Sequence, residues 1–272
     1  MPLAAMKIAL ALVVLATLGG VAFIYSGLYD ISATDQHLRP TYYAMQATMR
    51  RSIERRAADI PVPPLGAPAQ LERGLSLFRA HCVQCHGAPG VAPEPFALGL
   101  TPLPTPLARS GKDRAPAELF WVVKHGIKMT GMPAWEFRLT DDDLWSLVAF
   151  MKQLPLLSPA AYKALHAPPP LPRMAGFEGR PDPQRGRRAL QQYGCIGCHE
   201  IPGMVGPEAR LGPPLRDLGE RRMLGGVLPN SPENMVSWLR APQAFSPHSA
   251  MPSLGVTERD ARDMAAFLSE LK

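Results

Sequence analysis

The chain opens with a long apolar run that is followed by amphipathic helical patterns and proline-rich stretches. Residues 8–24 carry no charge, and uncharged residues continue to Tyr29. This run is longer than the roughly 7–15 apolar residues of a signal-peptide core and near the ~20 that span a bilayer. We predict a transmembrane anchor or signal-anchor over residues 1–29, with a cleaved signal peptide as the alternative.

The next segment, residues 30–69, is predicted to be a juxtamembrane helix with a proline-rich linker. Tyr42, Met45, Met49 and Ile53 recur at helical spacing, and arginines occupy the other side of the helix. Two interpretations stay open at this point. The helix is either a solvated amphipathic helix or an element that docks on a membrane partner or on lipid headgroups.

Two later stretches, residues 70–155 and 183–272, repeat one order of patterns. Each has an amphipathic helix, a cysteine motif, a Pro/Gly-rich loop, a second helix, a Met-Pro dipeptide and a final helix. The final helices should begin at Thr140 and Thr257, because threonine followed by acidic residues is a typical N-cap. The sequence predicts an all-α fold with two small tandem domains, joined by a semi-rigid proline-rich linker at residues 156–182.

Two pentapeptides contain all four cysteines of the chain. They are Cys82-Val83-Gln84-Cys85-His86 and Cys195-Ile196-Gly197-Cys198-His199. Both have the form CxxCH, the attachment signature of c-type haem. In this motif both thiols add to the vinyl groups of one porphyrin, and the adjacent histidine binds iron from one face. The sequence therefore predicts two covalently bound haem c groups, with His86 and His199 as iron ligands.

Disulfides, a zinc site or redox thiols are the other readings of four cysteines. A zinc ribbon separates its cysteine pairs by roughly 15–20 residues, whereas these pairs lie more than a hundred residues apart along the chain. A redox CxxC motif explains one string but not the histidine that follows both. Haem attachment is the reading that accounts for the complete pattern.

The sixth iron ligand decides whether such a haem relays electrons or binds small molecules. Met132 and Met251 each precede a proline at the same place in the repeat. Since methionine thioether is a known axial ligand of haem iron that raises its potential, we predict these two as the distal ligands. Met129 competes with Met132, and His125 and His248 are the alternatives that would give bis-histidine ligation.

These residues resemble the small soluble cytochromes c, and the resemblance covers nearly two thirds of the chain. It implies a membrane-anchored di-haem cytochrome c with two class I-type domains. In that family a proline carbonyl accepts the Nδ1 proton of the ligand histidine. Gly212-Pro213-Pro214-Leu215 looks like the segment that supplies it, with Pro213 as the acceptor. The first domain lacks this string and leaves four candidates, which are Pro93, Pro95, Pro102 and Pro104.

Composition adds two limits. The 31 prolines and 23 glycines imply long irregular loops. The formal net charge of +6 does not count the four propionates of two haems, and the basic residues are scattered. A nucleic-acid partner is therefore not expected.

We expect a membrane-tethered electron-transfer protein rather than a self-standing enzyme. It would pass single electrons in a periplasmic respiratory chain, as a carrier or as the cytochrome subunit of a terminal oxidase or dehydrogenase complex. Its expected partners are a quinol- or dehydrogenase-linked donor and a terminal oxidase or soluble cytochrome acceptor. The expected location is the bacterial inner membrane, with the haem domains in the periplasm. The alternative is a di-haem peroxidase with one open haem site.

Overall fold

The computed structural model describes residues 3–35, 37–166, 179–206 and 211–272. Thirteen α-helices occur in these ranges, and the all-α prediction is confirmed. The helices are α1 (Leu3–Ser26), α2 (Arg39–Ala57), α3 (Pro68–His81), α4 (Val83–His86), α5 (Pro95–Leu98), α6 (Leu107–Asp113), α7 (Pro116–His125), α8 (Asp141–Gln153), α9 (Pro159–Ala164), α10 (Pro183–Gln192), α11 (Pro232–Arg240), α12 (Pro242–Phe245) and α13 (Glu258–Ser269).

Helix α1 contains the apolar run and has no buried residue in the described part of the chain. Its 24 residues give a length of about 36 Å at 1.5 Å per residue, which is enough to cross a hydrocarbon core of about 30 Å. An exposed apolar surface of this size is costly in water. The helix therefore fits the predicted membrane anchor, and a signal sequence meets the same criteria.

The first unit is built on the packing of α3 against α8. Gly74 lies at their contact, where a Cβ would lie 2.0 Å from the Ser146 carbonyl oxygen and 2.8 Å from Phe150 Cβ. Phe78 and Leu144 are fully buried beside it. The close approach that the glycine permits is what allows the two helices to share one core.

We expect Gly74→Ala to lower the free energy of unfolding of the first unit by about 3 kcal/mol, since a methyl group there overlaps backbone that cannot move away. Gly99→Ala is the matched control, because the nearest atom to a Cβ at Gly99 is 3.9 Å away. Denaturant titration followed by tryptophan fluorescence measures both variants. Equal stability of the two would contradict the packing described.

The second unit repeats this arrangement with α10 against α13. A Cβ at Gly186 would lie 2.0 Å from the Asp263 carbonyl oxygen. Helix α11 also packs on α13. A two-stranded antiparallel hairpin precedes α11 and is formed by β1 (Met223–Leu224) and β2 (Leu228–Pro229). The internal repeat that the sequence predicts is thus present in the helix packing.

Both final helices begin at the predicted threonines. The Thr140 hydroxyl accepts a hydrogen bond from the Asp143 N–H at 3.3 Å, and the Thr257 hydroxyl accepts one from the Asp260 N–H at 3.1 Å. Each of these aspartates is buried and paired with an arginine of the helix that packs on its own, α3 or α10. Arg73 lies 2.9 Å from Asp143, and Arg185 lies 2.6 Å from Asp260. The same cap and ion pair therefore fix the crossing helices in both units.

Helix α2 does not stand alone in solvent but packs on α7 of the first unit. Ile53 and Ala57 are buried, and Met49 is half-buried. Tyr42 and Met45, which the sequence pattern places on the same face, are exposed. The packed face is therefore rotated from the predicted one, because the surface of α7 rather than side-chain polarity alone selects it.

Part of the predicted linker 156–182 is attached to the first unit. Tyr162 of α9 is 5% exposed within that core, and the Arg79 guanidinium donates to the carbonyl oxygens of Tyr162 and Leu165 at 3.3 and 2.9 Å. The proline cluster at residues 168–172, on which the prediction of stiffness rests, lies outside the described residues.

Candidate functional site

The first CxxCH motif opens into an apolar cavity. Cys82 follows α3, and the short helix α4 carries Cys85 and His86. All three side chains line the cavity together with Met132. Most of the other lining residues are apolar. They come from α6 and the loop before it, from α7 and the loop after it, and from α8. They include Leu100, Leu103, Leu107, Leu119, Val123, Ile127, Trp135, Leu147 and Met151.

The imidazole of His86 is fixed by a backbone carbonyl. Its Nδ1 lies 2.8 Å from the Thr105 carbonyl oxygen, and because a carbonyl only accepts, Nδ1 carries the proton and Nε2 is free to bind a metal. Burial lowers the pKa of His86, and the hydrogen bond to Thr105 partly opposes this shift.

The acceptor in the first unit differs from the sequence prediction. That prediction held four candidates, Pro93, Pro95, Pro102 and Pro104. The structure uses the carbonyl oxygen of Thr105, the residue directly after the last of them. Any backbone carbonyl can accept this bond, so the loop path and not the side chain at the position selects the residue.

The three candidate distal ligands of the first unit lie at different places relative to the cavity. Met132 lines the cavity, and its N–H is held by the Thr130 hydroxyl at 3.0 Å. Met129 is 82% exposed and does not line the cavity. His125 does not line it either; the ring is partly exposed and lies 3.8 Å from the Glu136 carboxylate. Of the three candidates, the geometry brings only Met132 to the motif.

Helix α2 forms one wall of this cavity, which the sequence does not predict. Gln46, Met49 and Ile53 of α2 line it, although they precede the stretch that repeats. His81 also lines it and packs against Trp135, with the two rings tilted and their centroids 4.9 Å apart. The spacing of Met49 and Ile53 marked them as one helix face, but nothing in the sequence shows what that face covers.

The second CxxCH motif forms a 3₁₀ turn, Cys195–Gly197, directly after α10. His199 Nδ1 donates to the carbonyl oxygen of Pro213 at 2.8 Å, which is the acceptor that the sequence analysis selected. A Cβ at Gly212 would lie 2.4 Å from His199 Cε1. Glycine at position 212 is therefore what allows the ring to lie against this loop.

Met251 occupies the corresponding place in the second unit. It packs on the same apolar cluster as Cys195 and is partly buried there. Its N–H is held by the Ser249 hydroxyl at 3.2 Å, which repeats the hydroxyl contact two residues before Met132. His248 is exposed. The two Met-Pro loops thus share this hydrogen bond.

The four thiols show no disulfide pairing, and all lie in the described part of the chain. Burial raises the pKa of Cys82 to about 12 and that of Cys195 to about 11. The two pairs belong to separate apolar cores, so they do not combine into one four-cysteine zinc site. Within the described ranges, no three His, Cys, Asp or Glu side chains form a metal cluster.

These residues fit a haem. The first cavity presents two thiols and a metal-ready imidazole inside apolar walls, with a thioether in the same cavity. The second unit has the same donors, with the imidazole held by a carbonyl and packed closely against the loop at Gly212. Thiols suit the porphyrin vinyl groups, and imidazole and thioether suit low-spin iron.

Comparisons with known proteins agree with this chemistry. Residues 69–151 match the family described as "Cytochrome C oxidase, cbb3-type, subunit III", and residues 183–272 match the family "Cytochrome c". Cytochrome c oxidase subunit 2 of Alkalihalophilus pseudofirmus is 36% identical over 89 residues, which are 32% of this chain and 25% of that protein. The protein of the same name from Bacillus sp. strain PS3 is 32% identical over 88 residues, 31% of this chain and 25% of that protein. The chain thus spans about a quarter of the length of these curated relatives.

Proposed function

Because the chain carries two cytochrome c-type domains in tandem, we propose that it is a membrane-anchored electron-transfer protein with one haem c in each domain. When bound, haem c supplies a one-electron iron couple. Cys82 and Cys85 would hold the first haem, and Cys195 and Cys198 the second. The observation that carries the proposal is the convergence of Cys82, Cys85, His86 and Met132 on one apolar cavity.

The chain's own residues would set the ligation. Thr105 and Pro213 hold Nδ1–H of His86 and His199, so that Nε2 of each imidazole is presented to iron. Met132 would supply a thioether ligand in the first domain, and Met251 would supply one in the second. An iron that holds both a histidine and a methionine ligand would have no open place for a substrate. A relay of single electrons follows from this ligation, whereas a peroxidase needs an open site.

Contact between the domains supports transfer from one haem to the other. Trp135 lines the first cavity, and Phe137, two residues later, is buried in the core of the second domain. The Tyr193 hydroxyl donates to the Phe137 carbonyl oxygen at 3.1 Å, and Tyr193 lies two residues before Cys195. A short route of bonds therefore runs between the two haem attachment segments.

The proposed location is the inner membrane, with α1 as the anchor and both haem domains in the periplasm. The match to an oxidase subunit family and the similarity to oxidase subunits favour an oxidase as the electron acceptor. A tether keeps a carrier at high local concentration near its partners. We propose that the chain delivers electrons to a membrane oxidase, as a carrier or as its cytochrome subunit.

Spectroscopy of the full-length protein in detergent tests the ligation. The oxidised protein should show the far-red charge-transfer band of a Met–Fe(III) bond, and the reduced protein should not bind carbon monoxide. High-spin iron in either domain, or carbon monoxide bound by the wild-type protein, would contradict the carrier and favour the peroxidase.

Purification in mild detergent tests the acceptor. If the chain is an oxidase subunit, it should elute with haem b and with the oxygen-reducing activity. As a free carrier it should elute alone but restore electron flow when added back to membranes that lack it. Failure to reduce any membrane oxidase in either form would contradict the proposal.

The wall that α2 adds to the first cavity gives a further prediction. Gln46→Glu should lower the potential of the first haem, and Gln46→Lys should raise it, because a negative charge favours Fe(III) and a positive charge Fe(II). Two charges about 10 Å apart at an effective dielectric constant of about 40 interact by roughly 0.8 kcal/mol, which corresponds to tens of millivolts. Redox titration measures the shift.

The control for this pair is the exposed neighbour Ala47, which does not line the cavity. Ala47→Glu and Ala47→Lys should give clearly smaller shifts, since solvent screens an exposed charge. Equal shifts at positions 46 and 47 would show that α2 does not border the haem.

A further inference from the structure

The loop that carries Met132 continues into the core of the other domain. Ala134 and Phe137 belong to the first cytochrome c-type stretch, but they are 4% and 2% exposed because they pack among residues of the second. The guanidinium carbon of Arg185, on α10, lies 5.0 Å from the centroid of the Phe137 ring. The Phe137 side chain is therefore fixed by the second domain and not by the first domain, to which it belongs.

Two further side chains hold the same loop on the second domain. The Tyr193 hydroxyl lies 2.9 Å from the Asp260 carboxylate and 3.1 Å from the Phe137 carbonyl oxygen, and its one proton is shared between these two acceptors. The Arg138 guanidinium donates to the Gln192 carbonyl oxygen and to the Ala134 carbonyl oxygen, each at 3.3 Å. The guanidinium carbon of Arg138 also lies 5.4 Å from the centre of the Tyr193 ring. Two consecutive residues at the C-terminal end of α10 therefore contact the loop.

The opposite side of this loop is bonded to α7. The N–H groups of Trp135 and Glu136 donate to the carbonyl oxygens of Val123 and Lys124 at 3.2 and 3.1 Å. Only four residues separate Met132 from Phe137. Met132 is thus presented by a short segment that α7 holds on one side and the second domain holds on the other.

We propose that Phe137 and Tyr193 are positioning residues through which the second domain holds Met132 on the iron of the first. This inference rests on the proposed function, since it takes Met132 as the ligand. Iron–methionine bonding in the first domain then depends on an intact second domain. The two haem domains act as one unit, in which the core of the second domain holds the distal ligand of the first.

The test counts carbon monoxide bound per reduced full-length protein. Wild type should bind none. Phe137→Ala should bind one equivalent, with loss of about half of the far-red band, because the freed loop releases Met132. Phe96→Ala, in the same domain but 59% exposed, is the matched control and should bind none. Phe137→Leu keeps most of the apolar volume and should restore the wild-type behaviour.

Double variants identify the haem that opens. Phe137→Ala added to Met132→Ala should still bind one equivalent, because both changes open the same iron. Phe137→Ala added to Met251→Ala should bind two. If Phe137→Ala does not accumulate, Tyr193→Phe is the deciding variant, since it removes only the hydroxyl that bonds Phe137 and Asp260. Its first haem should bind carbon monoxide, which the wild-type protein excludes.

The outcomes separate this inference from the proposed function. A folded Phe137→Ala protein that binds no carbon monoxide and keeps its full far-red band overturns the inference that the second domain holds Met132. It leaves the proposed electron transfer intact. If the alanine variant is lost, a Tyr193→Phe protein that binds no carbon monoxide overturns the inference as well. Wild-type protein that binds carbon monoxide, or Met132→Ala with unchanged ligation, overturns the ligand assignment itself.

Discussion

Met251→Ala should lower the reduction potential of the second haem by on the order of 0.1–0.2 V and open its iron to carbon monoxide. Thioether sulfur favours Fe(II), and axial ligands set haem potentials over a range of ~0.8 V. Met251 packs against the same apolar cluster as Cys195, and a hydroxyl two residues earlier holds its N–H, as it does at Met132. Spectroelectrochemical titration of the full-length protein gives both potentials in one experiment.

Met204→Ala is the matched control for this variant. Met204 is partly buried against the same apolar cluster, so its removal costs similar packing without touching the iron. Its potentials should stay within about 30 mV of the wild-type values, an interaction change below about 1 kcal/mol. If Met251→Ala has the wild-type potentials and still excludes carbon monoxide, Met251 is not the ligand.

Gly212→Ala should destabilise the second domain and weaken the histidine ligation of its haem. The new Cβ would lie 2.4 Å from His199 Cε1 and 2.6 Å from its Nδ1, well inside contact distance. Either the ring moves and loses its bond to Pro213, or the loop moves and opens the core. Overpacking of this kind costs about 3 kcal/mol or more, so we expect lower stability and weakened histidine ligation in the second domain only.

Gly197→Ala provides the control within the same motif. No atom lies within 4 Å of a Cβ built at Gly197, and the first motif carries a glutamine at the corresponding position, Gln84. This variant should keep the wild-type spectrum and thermal stability. Thermal unfolding followed at the haem band compares the two proteins, and a Gly212→Ala protein as stable as Gly197→Ala would contradict the close contact.

The elements that local signals determine were predictable from the sequence. Thr140 and Thr257 begin the two final helices as expected, because a hydroxyl cap and its N–H partner lie within three residues of each other. The order of elements in the two domains followed from the same short-range patterns.

The features that depend on tertiary contacts were not predictable. The acceptor for His86 is the backbone of Thr105, and a carbonyl group leaves no trace in the sequence. The packed face of α2 includes Gln46 and excludes Met45, since the partner surface on α7 decides it. No sequence pattern marks Phe137 as a core residue, yet its side chain is buried in the core of the other domain.

The central claim is that each of the two domains holds one haem that takes up a single electron. A stoichiometric reductive titration of the oxidised full-length protein, followed at the visible bands of haem c, measures this directly. With two CxxCH motifs in the chain, the account predicts two electrons per protein, both taken up at haem c. One electron per protein, or uptake without a change in the haem bands, would contradict it.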